Sequence, residues 1–173
     1  TLVEGLSKDP LAGFATPKIL RTSPDLSPLS IPIIDSAGMI ITRNLRHFDR
    51  GSNERDFGQY ERRQYVFGAS GAACLLKREF LLDVALNSRE TSLENLDPEL
   101  LEVFDTAFFA YREDADLAFR AAWLGWKCLY IPQAIAYHVR RVLPEKRSEL
   151  PDELNAYSVR NRFLLQLNNF TPF

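Results

Sequence analysis

Three carboxylates, Glu113, Asp114 and Asp116, occupy four consecutive positions directly before an apolar segment that ends at Gly125 and Trp126. Like charges at this spacing repel one another. Each carboxyl group raises the pKa of its neighbours, whereas the start of a helix lowers it. A carboxylate in such surroundings can take a proton from a hydroxyl group, so general base catalysis is one chemistry that this stretch predicts.

The spacing of apolar residues predicts a helix over residues 113–126. Leu117, Ala121 and Leu124 recur on one face, and Gly125 stands where a helix commonly ends. The three acids then fall in the first turn, where each would stabilise the helix by about 0.3–1 kcal/mol through its interaction with the helix dipole. That structural role is the simpler interpretation. Asp114, however, lies in line with the buried face, which favours a chemical role.

Composition limits the classes of protein to which the chain can belong. The 173 residues are 46% hydrophobic and 25% charged, which is typical of one globular domain spanning 1–173. The net charge of −2 argues against a nucleic-acid partner and ranks a metal nuclease low. No apolar run is long enough to span a membrane. Cys74 and Cys128 indicate reduced core thiols, hence a cytoplasmic location.

Turn residues divide the chain into alternating strands and helices, which predicts an α/β fold. A helix should end near Asp9, and a short strand near an edge, which contains Pro17, should follow. A strand is expected near Met39–Thr42, and a long Arg-rich loop, an acceptor-loop candidate, over 46–63. Further elements are a strand, Gly-rich turn and helix over 65–86, two short strands around Pro132, and an amphipathic helix over 152–170.

The stretch FFAYREDADLAFRAAWLGWKCLYIPQAIAYHVR resembles the acidic-motif region of inverting family 2 glycosyltransferases of the GT-A fold. The resemblance includes upstream segments that are similar to bacterial members transferring sugars such as rhamnose onto polysaccharides, and it covers nearly the whole chain. The residues that match the acidic motif are Phe109, Tyr111, Glu113, Asp114, Asp116, Leu117, Arg120, Gly125, Trp126, Pro132 and His138.

One feature of that family does not occur in these residues. Its nucleotide-binding first half, which carries an Asp-x-Asp metal motif after an apolar strand, has no counterpart here. The Asp114-Ala115-Asp116 triplet lies inside the later motif instead. The chain begins at Thr1 within an amphipathic pattern. We therefore expect the acceptor-side part of a longer enzyme, a partial GT-A mixed sheet with flanking helices that is inactive alone.

The resemblance implies a mechanism. Asp114 matches the family's general base, and Glu113 and Asp116 would support it. The departing diphosphate calls for Mg²⁺ or Mn²⁺ in the intact enzyme, and His138 matches a third metal ligand of some members. A histidine held by local hydrogen bonds is an equally good interpretation of that position.

The other site residues carry structural alternatives. Gly68, Ser70 and Gly71 would let backbone approach a sugar or acceptor, or would simply form a tight turn. Trp126 could stack on a sugar or pack in the core. Arg120 could contact the acceptor or pair with Asp116.

Two late basic residues, Arg160 and Arg162, could face the diphosphate or water. The implied partners are a nucleotide-sugar donor and a glycan or lipid-linked acceptor. A lipid-linked acceptor would bring the protein to the inner face of a membrane. The alternative function is a non-catalytic interaction or scaffold domain derived from the same fold.

Overall fold

The computed structural model describes residues 1–43, 46–87, 101–140 and 151–169, which form a mixed α/β structure. The helices are α1 (Leu2–Ser7), α2 (Arg78–Val84), α3 (Glu113–Trp123) and α4 (Asp152–Asn169), with a 3-10 turn at Thr106–Phe108. The strands are β1 (Ala12–Arg21), β2 (Ile34–Ser36), β3 (Met39–Ile41), β4 (His47–Asp49), β5 (Gln64–Val66), β6 (Leu75–Leu76) and β7 (Lys127–His138).

The longest strands, β1 and β7, are parallel and form the middle of a five-stranded sheet. Strand β5 pairs antiparallel with β7, whereas β2 and β6 pair antiparallel with β1. Strands β3 and β4 form a separate two-stranded ribbon. These pairings confirm the predicted α/β class with a mixed sheet and flanking helices.

Side chains on the two faces of the sheet pack into separate hydrophobic clusters. One face packs on α2 and α3 through Phe14, Phe80, Leu117 and Cys128. The opposite face packs on α1 through a smaller cluster that includes Leu6. The sheet is therefore covered on both sides by helices, as its nearly continuous buried pattern along β1 requires.

The predicted strand near an edge that contains Pro17 is β1, which lies one strand in from the edge because the short strands β2 and β6 pair along its outer side. Pro17 is tolerated because it lies between two short partners. Strand β6 pairs with β1 at Phe14 and Ala15, and β2 pairs with it at Ile19 and Leu20. The position without an N–H group thus falls where neither strand needs a donor.

The two short strands predicted around Pro132 form one strand, β7. The pairing with β1 jumps from Pro17↔Ile131 to Lys18↔Ile135, so Pro132 lies in a bulge of a continuous strand. The predicted loop over 46–63 begins as strand β4, because His47–Asp49 pair with β3. The predicted helix near Asp9, the strand near Met39 and the strand–turn–helix over 65–86 are confirmed, and the helix predicted over 152–170 is observed over its described part, Asp152–Asn169.

A buried lysine in β1 is neutralised from the neighbouring loop. Lys18 is 3% exposed, and its Nζ donates to Asp56 Oδ2 at 3.0 Å and also contacts Glu61. Burial alone would lower the pKa of Lys18, but the hydrogen bonds to Glu61 and Asp56 raise it above its ordinary value. The ion pairs tie the 46–63 segment to the central strand.

The Lys18 network predicts a specific loss of stability in base. A folded-state pKa above the unfolded value, about 10.4, stabilises the protein below that pH, and the contribution disappears as pH rises through the folded pKa. The free energy of unfolding of Lys18→Met should therefore fall less steeply above about pH 10.4 than that of the wild type. Urea titrations measure this, with Lys127→Met, which removes an exposed lysine, as control. Parallel curves for Lys18→Met and wild type would contradict the assignment.

Candidate functional site

The first turn of α3 contains all three acids, as predicted, but they face different surroundings. Asp116 is 2% exposed, whereas Glu113 and Asp114 are half-buried. The three carboxylates therefore differ in their surroundings.

Asp114 lies against the Gly-rich turn that follows β5. The Gly71 N–H donates to Asp114 Oδ2 at 3.1 Å, and the Ala115 N–H donates to Oδ1 at 2.8 Å. Burial raises the pKa of Asp114 above the ordinary aspartate value, although these N–H groups and Arg112 act in the opposite sense. The carboxyl group is thus oriented by backbone and poised to hold a proton more readily than a surface aspartate.

Two buried polar atoms, one at the start of α3 and one on β4, make no hydrogen bond to any described residue. They are Glu113 Oε2 and His47 Nδ1. Burial raises the pKa of Glu113, and the charge of Asp114 adds to the effect. Burial, reinforced by Arg112, lowers the pKa of His47 to about 4, so this imidazole is neutral at pH 7.

A second group of charges lies where the parallel strands β1 and β7 end. Asp35 on β2 accepts from Arg21 Nε at 3.2 Å and from Arg140 Nη1 at 2.9 Å. His138 at the end of β7 places Nδ1 2.7 Å from Asp35 Oδ2. We call Arg21, Asp35, His138 and Arg140 the Asp35 network. Ligands of open α/β sheets commonly bind at such strand ends.

Asp49 connects the Asp35 network to Asp114. Its Oδ2 accepts from Arg140 Nη2 at 3.0 Å. Burial raises the pKa of Asp49, and the like charge of Asp114 raises it further, while Arg140 opposes the shift. The ends of β1 and β7, strand β4 and the start of α3 therefore share one electrostatic site.

His138 is brought into this site, and its second ring nitrogen, Nε2, remains to contact a ligand. A carboxylate on one ring nitrogen commonly orients a histidine that binds metal through the other. Among the described residues, however, no three His, Cys, Asp or Glu side chains converge on a point where an ion could bind. The metal-ligand role of His138 therefore stays a prediction.

The residues of the Gly-rich turn have two different roles, in packing and in the site. A side chain at Gly68 would place Cβ 2.6 Å from Ala118 Cβ and 2.7 Å from Met39 Cε, so this glycine lets α3 approach the sheet. Gly71 is exposed, and its N–H holds Asp114. Ser70 lies between them, with its Oγ 3.5 Å from the Ala72 N–H.

Trp126 lies beyond the opposite end of α3. The helix has 11 residues, so its ends are about 16 Å apart. The Trp126 indole donates to Asp83 Oδ2 at 2.7 Å and packs edge-on against Phe80, beside a cleft of about 800 Å³. The structure does not bring Trp126 together with Asp114, and sugar stacking at Trp126 stays a prediction.

Arg120 forms the predicted i,i+4 pair with Asp116, but inside the protein. Its Nε donates to Asp116 Oδ2 at 2.9 Å, and its other nitrogens bind the carbonyls of Val84 and Val103. Asn169 Nδ2 donates to Asp116 Oδ1 at 2.8 Å. The pair joins α3 to α2, to the 101–105 segment and to α4.

Arg160 and Arg162 lie on α4. The Arg160 guanidinium binds the carbonyls of Ala107 and Phe108 and covers the Tyr157 ring at 4.8 Å. Arg162 is exposed. The diphosphate role predicted for both stays a prediction.

The loop before α3 has an unusual backbone. Phe109, Tyr111 and Arg112 have φ values of 57°, 69° and 77°. Residues other than glycine in such conformations cost of order 1–3 kcal/mol each and persist only where the surroundings enforce them. Arg112 is the last residue before the helix, so this strained backbone determines where α3 and its acids begin.

Several residues of the site were not predicted from the sequence, namely Asp35, His47, Asp49 and Arg140. Nor was Asn161 on α4, whose amide binds carbonyl groups of the loop before α3. Asp35 had a usable signal, because a carboxylate inside the apolar stretch IPIIDSAGM predicts a buried, paired acid. Asn161 shares a helix face with Ser158 and Leu165, which are also buried. Asp49 and Arg140 had no local signal, since their meeting depends on the sheet topology.

A comparison with family models, curated proteins and solved structures finds no match to this chain. The class that the fold and site define is an α/β protein with a group of paired charged residues at strand ends. None of the described helices combines the length and hydrophobicity that crossing a membrane requires.

Removing the buried partner of Arg120 should destabilise the fold. We expect Asp116→Asn to lower the free energy of unfolding by about 3–5 kcal/mol, because it leaves a buried guanidinium without its counter-charge. Asp152→Asn is the control, since Asp152 is an exposed first-turn acid of α4 and should matter by less than about 1 kcal/mol. Equal effects of both substitutions in urea denaturation would contradict the structural role.

In contrast to that of Asp116, the charge of Asp114 should lower the free energy of unfolding. A raised folded-state pKa means that ionisation of Asp114 costs stability above the unfolded value of about 3.9. The stability of Asp114→Asn relative to wild type should therefore increase as pH rises from about 4 to about 8. Urea denaturation across this range measures the difference, and a difference that is independent of pH would contradict the raised pKa.

Proposed function

We propose that this chain is the acceptor-side part of a GT-A-type glycosyltransferase that transfers a sugar with inversion. The donor would be a nucleotide sugar, and the acceptor a glycan or lipid-linked glycan of bacterial polysaccharide or cell-wall synthesis. The observation that carries the proposal is the carboxylate of Asp114, which is oriented by two backbone N–H groups and has a raised pKa.

The reaction would be a single displacement. The acceptor hydroxyl donates its proton to Asp114, and its oxygen forms a bond to the anomeric carbon of the donor sugar. The bond between that carbon and the diphosphate oxygen breaks at the same time, and the nucleoside diphosphate leaves with the electron pair. A general base contributes about 10²–10⁴-fold, most effectively when its pKa lies near the working pH.

The neighbouring residues have supporting roles in this proposal. Glu113 Oε2 and His47 Nδ1 are buried acceptors with unused hydrogen-bonding capacity, which suits binding of ligand hydroxyl groups. Asp116 acts through the fold, since it fixes α3 by its pair with Arg120. A divalent cation would neutralise the leaving diphosphate, with His138 as one ligand and the others from outside the described residues.

The alternative is a non-catalytic interaction or scaffold domain. Glu113 Oε2, on the residue next to Asp114, is buried and makes no hydrogen bond to any described residue, which favours the enzyme because such an atom costs free energy unless a ligand satisfies it. A lipid-linked acceptor would place the enzyme at the cytoplasmic face of a membrane.

The test is a donor screen on the full-length protein, with product detected by mass spectrometry and its anomeric configuration by NMR. Asp114→Asn should lower kcat by about 10²–10⁴-fold, since the amide cannot accept the proton. Asp152→Asn, which changes an exposed acid at the start of α4, should retain the wild-type rate.

Transfer with retention of configuration would contradict the single displacement. An Asp114→Asn variant as active as wild type would contradict the role of the base. A full-length protein that transfers no sugar from any donor would favour the scaffold.

A further inference from the structure

The amide of Asn161 reaches from the middle of α4 to the loop that precedes α3. Asn161 is completely buried, and its Nδ2 lies 2.7 Å from Phe108 O, 2.7 Å from Ala110 O and 2.9 Å from Tyr111 O. The NH₂ group has two hydrogens, so three carbonyls share them. With the amide reversed, its oxygen would face three acceptors, so this orientation is the one that the surroundings permit.

These three carbonyls belong to the strained part of the loop. Phe109, Tyr111 and Arg112 all have positive φ, in the region that L-residues rarely adopt. Fixing the carbonyls of residues 108, 110 and 111 fixes the peptide planes between them. Asn161 therefore holds the backbone in a conformation that its own sequence disfavours.

Other contacts from α4 reinforce the same loop. Arg160 Nε donates to Asn161 Oδ1 at 3.0 Å, and the Arg160 guanidinium also binds the carbonyls of Ala107 and Phe108. Arg112 Nε donates to Ser158 O at 3.2 Å. The loop is thus attached to α4 at several points, with Asn161 as its buried centre.

The consequence concerns Asp114, which follows Arg112 by two residues. We infer that Asn161 is a positioning residue for Asp114: it enforces the left-handed loop, and the loop aims the Asp114 carboxylate at the Gly71 N–H. The kinetic part of this inference rests on the proposed function of Asp114. The structural part does not depend on any activity.

The structural part is tested on the intact protein, labelled with ¹³C and ¹⁵N, by NMR. In Asn161→Ala, water should reach the Asp114 carboxylate, and loss of burial, the largest cause of its raised pKa, should outweigh loss of the Gly71 hydrogen bond, so the titration midpoint should move towards the ordinary aspartate value. The Gly71 amide should exchange its hydrogen faster, because it loses its acceptor. Asn168→Ala is the matched control, since this exposed asparagine of α4 binds Asp105 outside the loop, and it should change neither observable.

A rescue experiment separates enforcement of the backbone from simple packing. Phe109 is 73% exposed and has positive φ, and glycine adopts such conformations without steric cost. Adding Phe109→Gly to Asn161→Ala should move the Asp114 titration midpoint part of the way back to its wild-type value. It should also slow hydrogen exchange at the Gly71 amide towards the wild-type rate. If Asn161→Ala does not fold, the same measurements are made on Asn161→Ser, which keeps one donor.

The kinetic part is tested in the full-length enzyme. Asn161→Ala should lower kcat by between about 10-fold and about 100-fold with KM nearly unchanged, because a misaimed base affects the chemical step. If Asp114→Asn leaves transfer intact but Asn161→Ala still alters the Asp114 titration, the proposed function fails and the positioning role survives.

Three results would overturn the inference. The first is an Asn161→Ala variant whose melting temperature is lower while the Asp114 titration and the Gly71 hydrogen exchange stay as in wild type. The second is a midpoint that moves further from the ordinary aspartate value. The third is the absence of any recovery on adding Phe109→Gly.

Discussion

The carboxylate of Asp114 is held at the start of α3 between two backbone N–H groups, from Gly71 and Ala115, while burial opposes its ionisation. The hydrogen bonds favour the charged form and desolvation favours the neutral form. The balance between these opposing effects determines how readily Asp114 accepts a proton. The rest of the structure can be understood by how it maintains this geometry.

Three sets of interactions maintain it. The Asp116–Arg120 pair anchors α3 to its neighbours from inside the protein, so one acid of the motif is structural. The absence of a side chain at Gly68 lets the helix approach the sheet. On the remaining side, α4 supports the strained loop before the helix. Two acids separated by a single residue thus serve different purposes, one buried with its counter-charge and the other half-buried against the Gly-rich turn.

The sequence predicted the elements whose signals are local. The apolar period along α3 and the glycine after it indicated the helix, and Gly125 is indeed in the left-handed conformation that ends it, with φ of 86°. The Asp116–Arg120 pair followed from its spacing. Pro17 indicated a strand near an edge, but not why a proline fits there: it lies in a gap between two partner strands that are remote in sequence.

The site itself was less predictable for the same reason. Asp35, Asp49 and the pair His138 and Arg140 come from three separate segments that only the tertiary fold brings together. Asn161 reads locally as one polar residue of an amphipathic helix. No periodicity in the sequence indicates that its amide supports a loop some fifty residues earlier in the chain.

The most direct test of the account compares two titrations of the full-length enzyme. One is the acid limb of kcat/KM against pH, which reports the essential base of the free enzyme. The other is the NMR titration of the Asp114 carboxyl carbon. The account predicts that both have the same midpoint, above the ordinary aspartate value. A kinetic limb whose midpoint differs from that of Asp114, or that persists in Asp114→Asn, would contradict it.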